Sequence, residues 1–213
     1  MPLILAVDTT GEYGSLALTR GGELLEEVAM HAPAGFAQVL YGELERLISR
    51  HGIRTADVDC FAAASGPGSF TGVRVGLACV KGLAEAAGRP AVAVSNLEAL
   101  ARCGTAALRG AVIDARRDQI YAAVYDCDGR IVSPEIVDRW DAWVAALPPG
   151  VEEFVSALPL PVKHLVPAPQ SLARIIAEVA LRRLQRGEAQ DPAALDANYV
   201  RRSDAELFWK ESY

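Results

Sequence analysis

Between Val58 and Ala87 an apolar run, a glycine turn and a helical pattern follow one another without a break, and the rest of the chain must fold around them. Val58 to Ala64 has the length and composition of a buried strand. Ser65-Gly66-Pro67-Gly68 breaks it, and Ser69 or Thr71 can cap a helix that runs to Gly88. A strand, a glycine turn and a helix N-terminus together present backbone N–H groups to an anion. Gly66 and Gly68 are therefore candidate nucleotide- or anion-binding residues, and Arg74 stands at the mouth of the turn, able to hold an anion or to cap a helix end.

The helix is unusual. Arg74, Ala78, Lys81 and Glu85 form one stripe, while Val73, Val75, Leu77, Cys79, Val80, Leu83, Ala84, Ala86 and Ala87 occupy most of the remaining circumference. A helix that covers one sheet needs a single apolar stripe, so this one is expected to be buried on two sides. Gly72, Gly76 and Gly82 also permit a neighbouring backbone to come close. Two readings are open: the second face packs inside the chain itself, or it waits for another protein.

A formal net charge of -6 and a pI near 5.2 advertise no dedicated nucleic-acid surface. Cys60, Cys79, Cys103 and Cys127 are widely spaced with no C-x-x-C, which suits reduced cysteines in a cytoplasmic protein. No run reaches the length of a membrane span and the N-terminus lacks a basic leader, so neither secretion nor a membrane is expected.

Leu3 to Val7 reads as a first buried strand, closed by the turn Asp8-Thr9-Thr10-Gly11. Ser15 to Thr19 resumes, and Gly21-Gly22 makes a hairpin into Glu23 to Ala29. A helix is expected from about Phe36 to Arg50, then the Val58–Ala87 stretch, then a strand at Ala91 to Val94 and a short helix from Asn96 to Arg102. From residue 111 the order repeats: strand Ala111 to Ile113 ending in Asp114, strand Tyr121 to Tyr125, turn Asp128-Gly129, strand Val151 to Ala157, and a helix from about Ser171 to Arg186.

The pattern is that of an α/β protein made of two similar domains by tandem duplication of a βββαβα unit. The domains are expected at 1–100 and 101–213, the second reduced and ending in a C-terminal tail. Two such units describe the actin, Hsp70 and sugar-kinase (ASKHA) architecture, in which a strand–turn–strand wraps a nucleotide phosphate. Asp8, Thr9, Thr10 and Ser15 occupy that position and join the candidate nucleotide-binding set. In the second copy Leu158-Pro159-Leu160-Pro161 replaces the glycine turn and makes a poor phosphate cradle, since proline has no N–H.

His31, His51 and His164 have no ligand spacing between them or with cysteine. Ser69 is not in G-x-S-x-G, and Val73-Arg74 stands where a Walker A motif needs Lys-Ser/Thr. The residues offer no catalytic set and no metal site.

Ile4-Leu5-Ala6-Val7-Asp8-Thr9-Thr10, then Ser65-Gly66-Pro67-Gly68-Ser69-Phe70-Thr71-Gly72-Val73-Arg74-Val75-Gly76, then Ile113-Asp114-Ala115-Arg116-Arg117 with Ile120-Tyr121, and finally Tyr199-Val200-Arg201 resemble the TsaB (YeaZ) family along nearly the whole chain. The resemblance implies a cytoplasmic, non-catalytic scaffold or activator in making threonylcarbamoyladenosine beside the anticodon of tRNA. It pairs with TsaD and with TsaE, forms a homodimer when alone, and meets tRNA only through the complex. It has no intrinsic cofactor, and ATP and metal reside on the partner proteins. The resemblance also implies that the first two helices, here about Phe36 to Arg50 and Thr71 to Ala87, form the pairing face. Its expected contacts are Phe36, Ala37, Leu40, Tyr41 and Leu44, with Val73, Gly76, Leu77, Val80 and Ala84. Phe36-Ala37 replaces the His-Ser of many members. The alternatives are an ATP-dependent small-molecule kinase-like enzyme and a metallopeptidase-like protein.

Overall fold

In a computed structural model, which describes residues 1–201, the chain divides into two units. The first comprises Met1–Ala99 and Pro169–Ala197, and the second Leu100–Ala168 with residues 198–201. The expected C-terminal tail, residues 202–213, lies outside the described residues.

The first unit is built on β1 (Leu3–Asp8), whose residues are buried along their entire length. A strand with both faces covered reads as an uninterrupted apolar run rather than an alternating one, and Leu-Ile-Leu-Ala-Val is such a run. It pairs antiparallel with β2 (Tyr13–Arg20) and parallel with β4 (Cys60–Gly66). β3 (Glu23–His31) and β5 (Ala91–Ser95) complete a five-stranded sheet in the order β3-β2-β1-β4-β5. Gly21 and Gly22, at φ 61° and 95°, turn β2 into β3 as a two-residue hairpin, as the sequence predicts.

Leu3, Leu5 and Val7 share a core with α1 (Leu40–Arg50) and α2 (Phe70–Ala87). Ile4 and Ala6, alternating with them, are equally buried, and α5 (Ala173–Gln185) packs on β1, β2 and β4. The expected helix from Phe36 begins instead as a 3-10 turn, Phe36–Gln38, before α1. α3 (Asn96–Ala101) follows β5 directly.

The second unit has a five-stranded sheet in the order β10-β9-β6-β7-β8, made of β6 (Leu108–Arg116), β7 (Gln119–Asp126), β8 (Ile131–Asp138), β9 (Glu153–Ser156) and β10 (Leu165–Pro167). β6 is antiparallel to β7 and parallel to β9, as β1 is to β2 and β4. α4 (Trp140–Ala145) stands between β8 and β9, and its Trp143 packs with Trp140 and Phe154 at ring separations of 5.8–6.0 Å. Residues 157–164, which join β9 to β10, form no helix, whereas the equivalent connection in the first unit is α2.

The boundary expected near residue 100 meets one difference. α5, expected in the domain 101–213, belongs to the first unit. Its buried Ile176, Ala177, Val179 and Ala180 cover the face of the first sheet that α1 and α2 leave open.

Candidate functional site

Three strand ends of the first unit converge on the glycine turn. β1 delivers Asp8-Thr9-Thr10, β4 delivers Ser65 and Gly66, and β5 delivers Asn96 as the first residue of α3. Ser69 caps α2, its Oγ accepting from the Gly72 N–H at 3.3 Å, and Gly88 ends the helix in the left-handed region at φ 61°, both as predicted. The helix begins with the geometry of an anion site.

The candidate anion-binding residues are brought together there, but they bond to one another. The Ser69 N–H donates to the Thr10 carbonyl at 2.6 Å, and the Thr9 hydroxyl donates to the Gly72 carbonyl at 2.7 Å. Asp8 Oδ1 accepts from both the N–H and the hydroxyl of Thr10, at 2.9 and 2.7 Å. Asn96 completes the set, with Nδ2 donating to Thr10 Oγ1 at 2.7 Å and Oδ1 accepting from the Gly66 N–H at 2.9 Å. Asp8, Thr9, Thr10, Ser65 and Asn96 are all buried.

The glycines serve the same approach. A Cβ at Gly68 would lie 2.6 Å from the Thr10 carbonyl oxygen, one at Gly76 would lie 2.6 Å from Thr9 Oγ1, and one at Gly72 would overlap the Thr9 carbonyl oxygen. The space a phosphate would need in the cradle is filled by the β1 turn, and this arrangement does not fit one. Burial raises the Asp8 carboxyl above its ordinary range, against the opposing bonds from Thr10 and Asn96.

Two further members of the predicted set have other partners. Ser15 Oγ accepts from the Ala173 N–H at 3.0 Å, so it caps α5, and beside it Glu27 Oε1 accepts from the Arg174 N–H at 3.1 Å. Arg74 lies exposed with its guanidinium 3.6 Å from the centre of the Phe70 ring.

The predicted pairing residues need a larger correction. Phe36, Leu40, Leu44, Val73, Leu77, Val80 and Ala84 lie in the first unit's own core, and Gly76 is buried against Thr9. Leu77 is 6% exposed and Val80 0%, so neither can serve as a surface anchor. Only Ala37 and Tyr41 of that set are exposed, Tyr41 at 59%. The second apolar face of α2 is covered by a return of the chain: the 3-10 turn Pro192–Ala194 packs on the helix, and Leu195 enters the same core as Leu77 and Val80. The open face of α2 is instead Thr71, Arg74, Ala78, Gly82, Glu85 and Ala86. It adjoins α1 where the Tyr41 hydroxyl comes near the Cys79 thiol. Sequence reasoning missed this cover because residues 192–197 carry no helical or strand period.

Burial pushes the Cys60 thiol up to about 12 and the Cys79 thiol to about 11, so both pack as apolar groups rather than nucleophiles. Among the described residues no three His, Cys, Asp or Glu side chains are grouped to hold a metal ion, and no helix is long and apolar enough to cross a membrane. His31 stacks on Tyr13 with ring centres 4.7 Å apart, and His51 Nε2 lies 2.9 Å from Glu26.

A family model described as TsaD, tRNA N6-adenosine threonylcarbamoyltransferase, matches residues 31–194. The tRNA threonylcarbamoyladenosine biosynthesis protein TsaB of Escherichia coli is 33% identical over 148 residues, which cover 63% of this chain and 64% of that protein. An uncharacterised protein of Mycobacterium bovis is 32% identical over 211 residues, 95% of this chain and 93% of its own. The solved structure of YeaZ from Pseudomonas aeruginosa superposes with a TM-score of 0.79 at 28% identity, covering 93% of this chain and all of that one. The chain spans about half to two thirds of the length of the TsaB proteins it first matches.

Proposed function

The chain belongs to the TsaD family, in its TsaB/YeaZ branch, and on that premise we propose that it is a non-catalytic partner of a TsaD-type transferase in making threonylcarbamoyladenosine on tRNA. It docks the transferase through α1 and α2, joins TsaE in the same assembly, pairs with itself when alone, and meets tRNA through the complex. It works in the cytoplasm and holds no cofactor of its own, ATP and metal being carried by the partners. The shared strand order of its sheets, β3-β2-β1-β4-β5 and β8-β7-β6-β9-β10, supports a tandem duplication within the actin, Hsp70 and sugar-kinase architecture.

The observation that carries the docking role is the open face of α2. Ala78 and Gly82 leave it nearly flat, a Cβ at Gly82 would meet nothing within 4 Å, and Tyr41 stands exposed beside it on α1. Small residues at such a face let a second helix approach closely. The non-catalytic reading rests on the glycine turn, where a kinase-like enzyme would need the Asp8 carboxylate free for a metal and instead Thr10 engages it twice. The thiols raised by burial and the scattered histidines give a peptidase reading no support either.

The test is a reconstitution of tRNA modification from purified TsaD, TsaE, ATP and the threonylcarbamoyl donor, with and without this chain. Modification is expected only when the chain is present together with TsaD. Full modification without it, or modification by this chain alone, would overturn the proposal.

A further inference from the structure

Asn96 is buried, 2% exposed, and makes a bond in each sense open to an amide: it accepts from Gly66 and donates to Thr10. The Thr10 hydroxyl passes its own hydrogen to Asp8, so the donors and acceptors run in a single order from Asn96 through Thr10 to Asp8. The same Thr10 receives the Ser69 N–H on its carbonyl, at the residue that caps α2. The bonded path from the end of β5 to the cap of α2 thus runs through Asn96 and Thr10, both buried.

We infer that Asn96 is a positioning residue for partner docking: by bridging Gly66 and Thr10 it sets where the first turn of α2, and with it the stripe Arg74–Ala78–Gly82, is presented. This rests on the proposed docking role of that stripe. Asn96 touches no partner itself. It acts through the β1 turn, which lies so close to α2 that Gly68, Gly72 and Gly76 have no room for a side chain. A displaced β1 turn therefore shifts the helix start instead of being absorbed by slack between them.

The experiment measures the dissociation constant of the full chain for purified TsaD, with thermal unfolding of the chain alone as a separate readout. Asn96→Ala is expected to weaken pairing about tenfold, the effect of one mislaid anchor in an interface, at temperatures where the chain is fully folded. Asn96→Asp is expected to do the same, because two carboxylates then compete for the Thr10 hydroxyl. A role confined to stability would lower the unfolding temperature and leave the dissociation constant unchanged. If Asn96→Ala does not fold, Asn96→Asp decides alone.

Ala78→Asp separates the two failures. If it weakens pairing while folded Asn96 variants bind as the wild type does, the positioning role is wrong and the docking face stands. If Ala78→Asp leaves pairing intact, the docking face is wrong and the role of Asn96 falls with it.

Discussion

The backbone N–H of Ser69 donates to the carbonyl oxygen of Thr10 at 2.6 Å, joining the cap of α2 to the turn that ends β1. The Ser69 N–H at the start of α2 is one of the donors that a helix N-terminus offers to an anion. Here it is spent on the Thr10 carbonyl, and a Cβ at Gly68 or Gly72 would meet the backbone of Thr10 or Thr9.

Gly72 and Gly82 lie on the same helix and predict opposite outcomes. Gly72→Ala drives a Cβ into the Thr9 carbonyl, whereas at Gly82 the same atom meets nothing within 4 Å. Gly82→Ala is expected to stabilise the chain by roughly 0.5–1 kcal/mol through helix propensity, and Gly72→Ala to destabilise it by 1 kcal/mol or more, roughly. Denaturant midpoints of the two variants check both signs.

Leu77 is a core residue, 6% exposed, on the buried side of α2. Leu77→Ala is expected to cost about 2–5 kcal/mol, and a charge at that position to unfold the first unit. Circular dichroism of the purified variants distinguishes this from a surface role, in which the fold would be unchanged.

Ser15 and Glu27 hold the N-terminus of α5 to the first sheet, through the N–H groups of Ala173 and Arg174. Ser15→Ala removes a buried cap and is expected to cost about 1 kcal/mol, with faster amide exchange confined to the first turn of α5. A nucleotide-binding role for Ser15 would instead leave stability unchanged without nucleotide.

The Asp8 carboxyl is raised above 3.8 by burial, and this fixes the direction of a pH effect. A group whose folded value exceeds its unfolded one favours the fold when protonated, so its contribution is full below 3.8 and is lost as pH rises through the raised value. The stability of Asp8→Asn relative to wild type is therefore expected to improve from pH 4 toward neutrality. Denaturation series across that range measure it, and a difference that stays flat would show that Asp8 titrates normally.

The elements were legible in the sequence wherever one signal dominated. The apolar run Leu3–Val7, the Gly21-Gly22 hairpin, the Ser69 cap and the Gly88 stop each sit where local chemistry puts them. The order of strands in the second half was legible as well, and β6 pairs with β7 and β9 as β1 pairs with β2 and β4. What local chemistry could not tell was which surface covers which. The two-sided apolarity of α2 was read correctly, but the resemblance favoured a partner where Leu195 and the Pro192–Ala194 turn supply the cover. These residues lie more than a hundred positions along the chain and have no periodic pattern. Likewise Asn96 reads in the sequence only as the start of a short helix, and its bonds to Gly66 and Thr10 depend on strand neighbours that only the sheet order reveals.

The most direct measurement is light scattering on size-exclusion eluates of the chain mixed with TsaD from the same source, for wild type and for Ala78→Asp. The account predicts a mixed complex with the wild type and separate peaks with a folded Ala78→Asp, because a carboxylate then stands on the open face of α2 beside Tyr41. A mixed complex that survives Ala78→Asp unchanged would contradict it and place the docking surface elsewhere on the chain.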